Sequence, residues 1–184
     1  MPFIETGFKG LTVFEPRVFA DNRGYFFESF NKKAFEDAGI DCEFVQDNES
    51  CSQRGVLRGL HYQLGEMAQA KLIRVVEGEV LDVVVDIRVG SPTYGKSFAI
   101  VVSAENKKQL FIPRGFAHGF VVTSESCIFQ YKCDNYYSKE SEGGIHYNDP
   151  ALGINWGMDL NKAIVSDKDK VLPLFKDCKN SFVF

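Results

Sequence analysis

The run Val56-Leu57-Arg58-Gly59-Leu60-His61-Tyr62-Gln63 places an Arg and a His three positions apart among apolar side chains. In a regular strand side chains alternate, so Arg58 and His61 point to opposite faces. One cavity receives both only if the strand bulges or twists, and Gly59, which lies between them, permits such a backbone. A distortion at or near Gly59 is therefore expected. Lys71 follows, in Gln69-Ala70-Lys71-Leu72-Ile73-Arg74-Val75. Buried cationic or titratable groups are costly unless they are paired or used. Singly, these three read as a surface Arg, a core His and a surface Lys; clustered beside one short hairpin, they form a candidate site.

Outward from this run the chain reads as short strands separated by turns. Residues 71–76 and 80–87 are two strands joined through Glu77-Gly78, a hairpin-compatible pair. Before them come a strand at 11–15, a turn at Asp21-Asn22-Arg23-Gly24, a strand at 25–30 and a helix at 32–38. Asn31 caps that helix and Gly39 ends it. Residues 43–50 begin as a strand and turn polar, with Phe44, Gln46 and Asn48 on one face. Residues 64–68 form a loop. Further strands fall at 97–103, 109–112, 121–122 and 127–132, and a short one at 154–156. The chain becomes irregular and polar after Tyr136-Tyr137-Ser138. Eight or more short strands between turns predict one all-β domain over residues 1–184, a jelly roll or closed sandwich with a few short peripheral helices.

Composition narrows the function. Seventeen Phe and seven Tyr supply a β core, and a net charge of −4 argues against a generic nucleic-acid binder. The five Cys are odd in number and form no CxxC pair, which fits free thiols in a reducing compartment. Met1-Pro2-Phe3-Ile4-Glu5 lacks the basic-then-apolar pattern of a signal peptide, and no apolar run is long enough to span a bilayer. A cytoplasmic protein with no membrane partner is the expectation.

Pro113-Arg114-Gly115-Phe116-Ala117-His118 has the PxGxxH spacing and resembles the second motif of the cupin superfamily, a double-sheet jelly roll. Metal-binding cupins carry HxH in their first motif. Here that place holds His61-Tyr62-Gln63, so the second His is missing, and a metal site normally needs three or four ligands. Six motifs then occur in order. They are Arg23-Gly24-Tyr25-Phe26-Phe27-Glu28, Phe44-Val45-Gln46-Asp47-Asn48, the run at 56–63, Gln69-Ala70-Lys71, Phe116-Ala117-His118-Gly119-Phe120 and Asn135-Tyr136-Tyr137-Ser138. Together, from about Thr12 to about Leu174, the chain resembles the dTDP-4-dehydrorhamnose 3,5-epimerases, metal-free cupin enzymes of dTDP-L-rhamnose synthesis.

The resemblance implies an isomerase that needs no cofactor and no metal. Its substrate is dTDP-4-dehydro-6-deoxy-D-glucose and its product dTDP-4-dehydro-L-rhamnose, which feeds a bacterial surface glycan. Carbons 3 and 5 flank the keto group, so their protons are acidified; each is removed and one is returned from the other face. By the same resemblance His61 is the general base and Asp169 orients it, with Asp167 close enough to compete for that role. Lys71 stands beside the enolate, and Tyr131 is the acid on the opposite face, its proton exchange helped by nearby cations. Substrate binding falls to Arg23, Glu28, Gln46, Asn48, Arg58, His118, Glu142 and Lys168, with Tyr137 stacking on thymine. The family also implies a homodimer with exchanged N-terminal strands, so that Arg23, Glu28, Gln46 and Asn48 serve the neighbouring subunit. A single-carbon epimerase of a related nucleotide sugar, a non-catalytic sugar-binding cupin and a metal-dependent oxygenase or isomerase are the competing readings.

Overall fold

The computed structural model describes residues 3–184. Fourteen strands and two helices follow one another along it. The strands are β1 (Phe3–Glu5), β2 (Thr12–Phe14), β3 (Phe19–Asp21), β4 (Gly24–Phe26), β5 (Gln46–Gln53), β6 (Val56–Gln63) and β7 (Lys71–Glu77). Then come β8 (Glu79–Asp86), β9 (Ser97–Ser103), β10 (Gln109–Ile112), β11 (Phe116–Val122), β12 (Ser126–Cys133), β13 (Glu142–Gly144) and β14 (Ile164–Val165). The helices are α1 (Lys32–Asp37) and α2 (Asp167–Lys170). One sheet runs β1-β2-β10-β7-β12-β5, and the other β13-β6-β11-β8-β9, with β14 beside β6. This is the expected jelly roll.

The inner faces of the two sheets close on Ile73, Val75, Val80, Val84, Leu110, Phe120 and Phe129. Outside the second sheet, Leu57, Leu60, Val83 and Val85 are covered by Ile145, Trp156 and the C-terminal segment. Outside the first, Phe35 of α1 packs on Phe14, Leu72 and Phe111. At 2% exposure, Phe35 contributes on the order of 2–3 kcal/mol of burial. Asn31 caps α1 by accepting from the Ala34 N–H, as its sequence predicts.

Four expectations are corrected. The strands flanking Glu77-Gly78 do not pair: β7 belongs to the first sheet and β8 to the second. Gly78 (φ +79°) marks a corner between sheets, and a Cβ there would stand 1.9 Å from the Ser126 carbonyl oxygen. A two-residue turn signal specifies a sharp reversal but not whether the chain rejoins the same sheet. The strand expected at 25–30 stops at Phe26, where its pairing with β3 ends. The strand expected from Glu43 begins at Gln46, where pairing to Cys133 of β12 starts, and it continues to Gln53. Residues 154–156 are not a strand; Trp156 is instead a buried anchor whose indole donates to the Tyr147 carbonyl (2.9 Å).

The distortion at Gly59 is present. Along the β6–β11 pairing, His61 faces His118 and Arg58 faces Phe120, so three residues of β6 span two of β11. That bulge returns Arg58 to the face His61 occupies. Gly59 has φ +124°, and a Cβ on it would approach the Gly119 Cα to 2.5 Å, so the site requires glycine.

Candidate active site

The cavity between the sheets has two lobes, of about 670 and 590 Å³, which share Asn48, His61, Lys71, Tyr131 and Lys168. Its walls follow from the pairing. On the first sheet, Gln46, Cys133 and Lys71 lie in one row, and Asn48, Tyr131 and Ile73 in the next. On the second sheet, the bulged β6 supplies Arg58 and His61. Tyr131 and Lys71 therefore approach from one wall, and His61 from the other.

His61 is held by a carboxylate. Its Nε2 meets Asp169 Oδ1 at 2.7 Å, and Asp169 Oδ2 accepts the Gly59 N–H at 3.2 Å. Asp169 is 3% exposed, and Ser166 caps its helix by accepting the Asp169 N–H. Burial opposes the charged form of Asp169, but the hydrogen bonds from His61, Gly59 and Ser166 outweigh it and hold the carboxyl below its usual pKa. The competing carboxylate, Asp167, is exposed and pairs with Lys170. Once Nε2–H donates to Asp169, His61 Nδ1 keeps a free lone pair.

On the opposite wall, burial lowers the pKa of Lys71, with Cys133 and Asp82 working the other way. Its ammonium stands 6.0 Å from the Tyr131 ring centroid. Burial raises the Tyr131 pKa, and Arg58 only partly opposes this, so desolvation outweighs the nearby cations expected to ease its proton exchange. Arg58 is aimed by Ser52, whose Oγ accepts from Nε (3.3 Å) and Nη2 (3.1 Å). At the floor, His118 Nε2 meets Asp82 Oδ2 at 2.8 Å, and the imidazole stacks on Phe129.

The mouth is polar. Lys168 pairs with Glu142 at 2.6 Å, and Glu142 neighbours Tyr137. Gln46 donates to Asn48 (3.0 Å) and accepts the Tyr137 N–H (3.1 Å). Gln46 and Asn48 line this chain's own cavity, whereas the expectation assigned them to a neighbouring subunit. Arg23 and Glu28 line neither lobe; Arg23 is exposed and pairs with Asp21, and Glu28 accepts from Asn31. Gln63, Cys133 and Lys139 also line the cavity without having been singled out. For Gln63 the signal was there: it sits two positions from His61, on the same strand face. Among the described residues, no group of three or more His, Cys, Asp and Glu is placed to hold a metal ion.

A jelly roll whose cavity sets an imidazole–carboxylate pair against a phenol and an ammonium defines a cupin-type isomerase. The sequence profile of dTDP-4-dehydrorhamnose 3,5-epimerase matches residues 5–177, and the chain belongs to that family. It is 55% identical over 170 residues to the dTDP-4-dehydrorhamnose 3,5-epimerase of Shigella flexneri, covering 92% of this chain and 93% of that one. The crystal structure of the enzyme so named from Elizabethkingia anophelis matches with a TM-score of 0.92 and 53% identity, over 95% of this chain and 96% of that one. The dTDP-6-deoxy-D-glucose-3,5-epimerase of Legionella pneumophila was solved in complex with dTDP-4-keto-L-rhamnose. It matches at 0.91 and 49% identity, over 95% of this chain and 93% of that one.

Proposed function

We propose that this chain converts dTDP-4-dehydro-6-deoxy-D-glucose to dTDP-4-dehydro-L-rhamnose by inverting carbons 3 and 5 in the cavity between its sheets. The observation that carries the reading is the placement of His61 and Tyr131 on opposite walls of one cavity. Epimerisation takes a proton from one face and returns one to the other. A binding module has no need of that arrangement.

His61 Nδ1 removes the proton beside the keto group, and Asp169 stabilises the imidazolium that forms. Charge moves onto the keto oxygen, where Lys71 and Arg58 meet it. Tyr131 donates from the other wall. A phenol has an ordinary pKa of about 10 and so holds at neutral pH the proton it gives; burial pushes Tyr131 further in that direction. The anchoring groups are Gln46, Asn48, His118, Glu142 and Lys168, with the forked donors of Arg58 suited to phosphate oxygens and the Tyr137 ring offered to thymine.

Arg23 and Glu28 act on the cavity of a second copy, in a homodimer with exchanged N-terminal strands. The β3–β4 hairpin that precedes Glu28 supports this, with Phe19, Tyr25 and Phe26 at 50%, 59% and 66% exposure. The compartment is the cytoplasm, a reading consistent with the five free cysteines and with the absence, among the described residues, of any helix able to cross a membrane.

The test is solvent exchange. In heavy water with dTDP-4-dehydro-6-deoxy-D-glucose, NMR should show deuterium entering carbons 3 and 5, and a reductase should trap the L-sugar. Exchange at one carbon alone would identify a single-site epimerase, and exchange at neither would overturn the reading. In sedimentation, a catalytically competent monomer would remove the exchanged-strand proposal.

A further inference from the structure

The third residue of His61-Tyr62-Gln63 has no part in the chemistry above. It lies on the same strand as the base and is 5% exposed. Both polar atoms of its amide bond to two loops. Gln63 Nε2 donates to the Met67 carbonyl at 2.7 Å and to the Tyr136 carbonyl at 3.1 Å. Gln63 Oε1 accepts the Ser138 N–H at 2.7 Å. The Tyr136 and Ser138 bonds bracket Tyr137, whose own N–H goes to Gln46 Oε1 at 3.1 Å.

Two cavity-lining amides thus fix three consecutive residues around an aromatic ring that is itself 57% exposed. The ring belongs to none of the apolar core clusters, and its hydroxyl bonds to Glu142. A ring on a polar loop stays in one place only if its backbone does, and here three backbone groups around it are tied to side-chain amides. Meanwhile, the same Gln63 ties this loop to the turn at Gly65–Met67, which leads into β7 and Lys71.

We propose that Gln63 is a positioning residue for the nucleotide: it presets the Tyr137 loop, so the ring is in place before the substrate arrives. The inference rests on the reading of Tyr137 as the group that stacks on the base. Preorganisation of this kind strengthens binding by removing the entropy of ordering the loop, and it leaves the proton transfers at His61 and Tyr131 unchanged. Gln63 therefore acts on KM and on nucleotide affinity, not on kcat.

The experiment compares Gln63→Met, Tyr137→Ala and the double variant, with dTDP titrated calorimetrically and turnover measured on the nucleotide sugar. Gln63→Met should raise the dTDP Kd and the substrate KM about tenfold, with kcat within about twofold. In the Tyr137→Ala background the same change should add almost nothing, because its effect passes through that ring. Should Gln63→Met fold poorly, Gln63→Asn keeps a neutral amide on a shorter side chain and should give an intermediate rise in Kd. An unchanged Kd, a fall in kcat at constant KM, or full additivity with Tyr137→Ala overturns the inference. If Tyr137→Ala alone leaves the dTDP Kd unaltered, the stacking reading itself fails and this inference falls with it.

Discussion

The cavity contains two imidazole–carboxylate pairs of almost the same length, 2.7 Å for His61–Asp169 and 2.8 Å for His118–Asp82. Their surroundings differ. The His61 side chain is 38% exposed and opens on the cavity, and its carboxylate has further donors in the Gly59 N–H and Ser166. His118 is 9% exposed by side chain, stacked on Phe129, and its partner Asp82 has a buried Oδ1 with no hydrogen-bond partner. A His–Asp bond therefore does not by itself mark a base. What separates the pairs is a free, accessible nitrogen on one imidazole and a fully occupied carboxylate behind it.

The largest expected effect comes from breaking the open pair at its base. His61→Asn should lower kcat by about 10³-fold or more, the usual range for removing a positioned general base, and should abolish deuterium exchange at both carbons. His118→Asn should lower turnover by at most about tenfold, which is about what one hydrogen bond supplies. Its main consequence should be stability: with Asp82 losing its partner, unfolding should become easier by about 1–3 kcal/mol, seen as a melting temperature several degrees lower. If the two substitutions reduced kcat equally, the distinction between the pairs would disappear.

Next in size is the carboxylate of the open pair. Asp169→Asn keeps the shape and removes the charge that favours imidazolium, so kcat should fall about 10²-fold or more with KM little changed. Tyr131→Phe sharpens the same geometry from the other wall. Exchange at carbon 3 should persist while inversion at carbon 5 is lost, as monitored by NMR. Loss of exchange at both carbons would instead place Tyr131 in the first proton abstraction.

Much of this was legible in the chain. The alternation of β6, interrupted at Gly59, was enough to predict the bulge that brings Arg58 and His61 to one face, because side-chain direction in a strand is fixed by a period of two. The jelly roll followed from turn spacing. The division of strands between sheets did not, because Glu77-Gly78 encodes a reversal, and only the packing of Gly78 against the Ser126 carbonyl oxygen makes it a corner. Lys71 was read beside the hairpin of His61, whereas it faces His61 from the opposite sheet. The family resemblance supplied the opposition of Tyr131 to His61; the residues alone could not, since opposition across a cavity is a long-range property with no local pattern. The choice between Asp167 and Asp169 was open for the same reason: both lie on one helical turn, and burial against Gly59 decides it. Gln63 was overlooked because an amide two residues from a His looks like a lost metal ligand rather than a loop anchor.

The smallest effect is confined to acid and tests whether Asp169 is held charged as its partners require. Its folded pKa lies below the ordinary carboxylate value because hydrogen bonds from His61, Gly59 and Ser166 outweigh burial. A carboxylate depressed on folding contributes stability that is fully present above its unfolded pKa of about 4 and is lost as pH falls through the folded value. Asp169→Asn has no such linkage. The stability advantage of the wild type over Asp169→Asn, measured by urea unfolding, should narrow progressively below about pH 4. A difference that stayed constant into strong acid would mean that the donors around Asp169 do not favour its charge. The bond to His61 would then be one of position alone, and the open pair would differ from His118–Asp82 only in its access to the cavity.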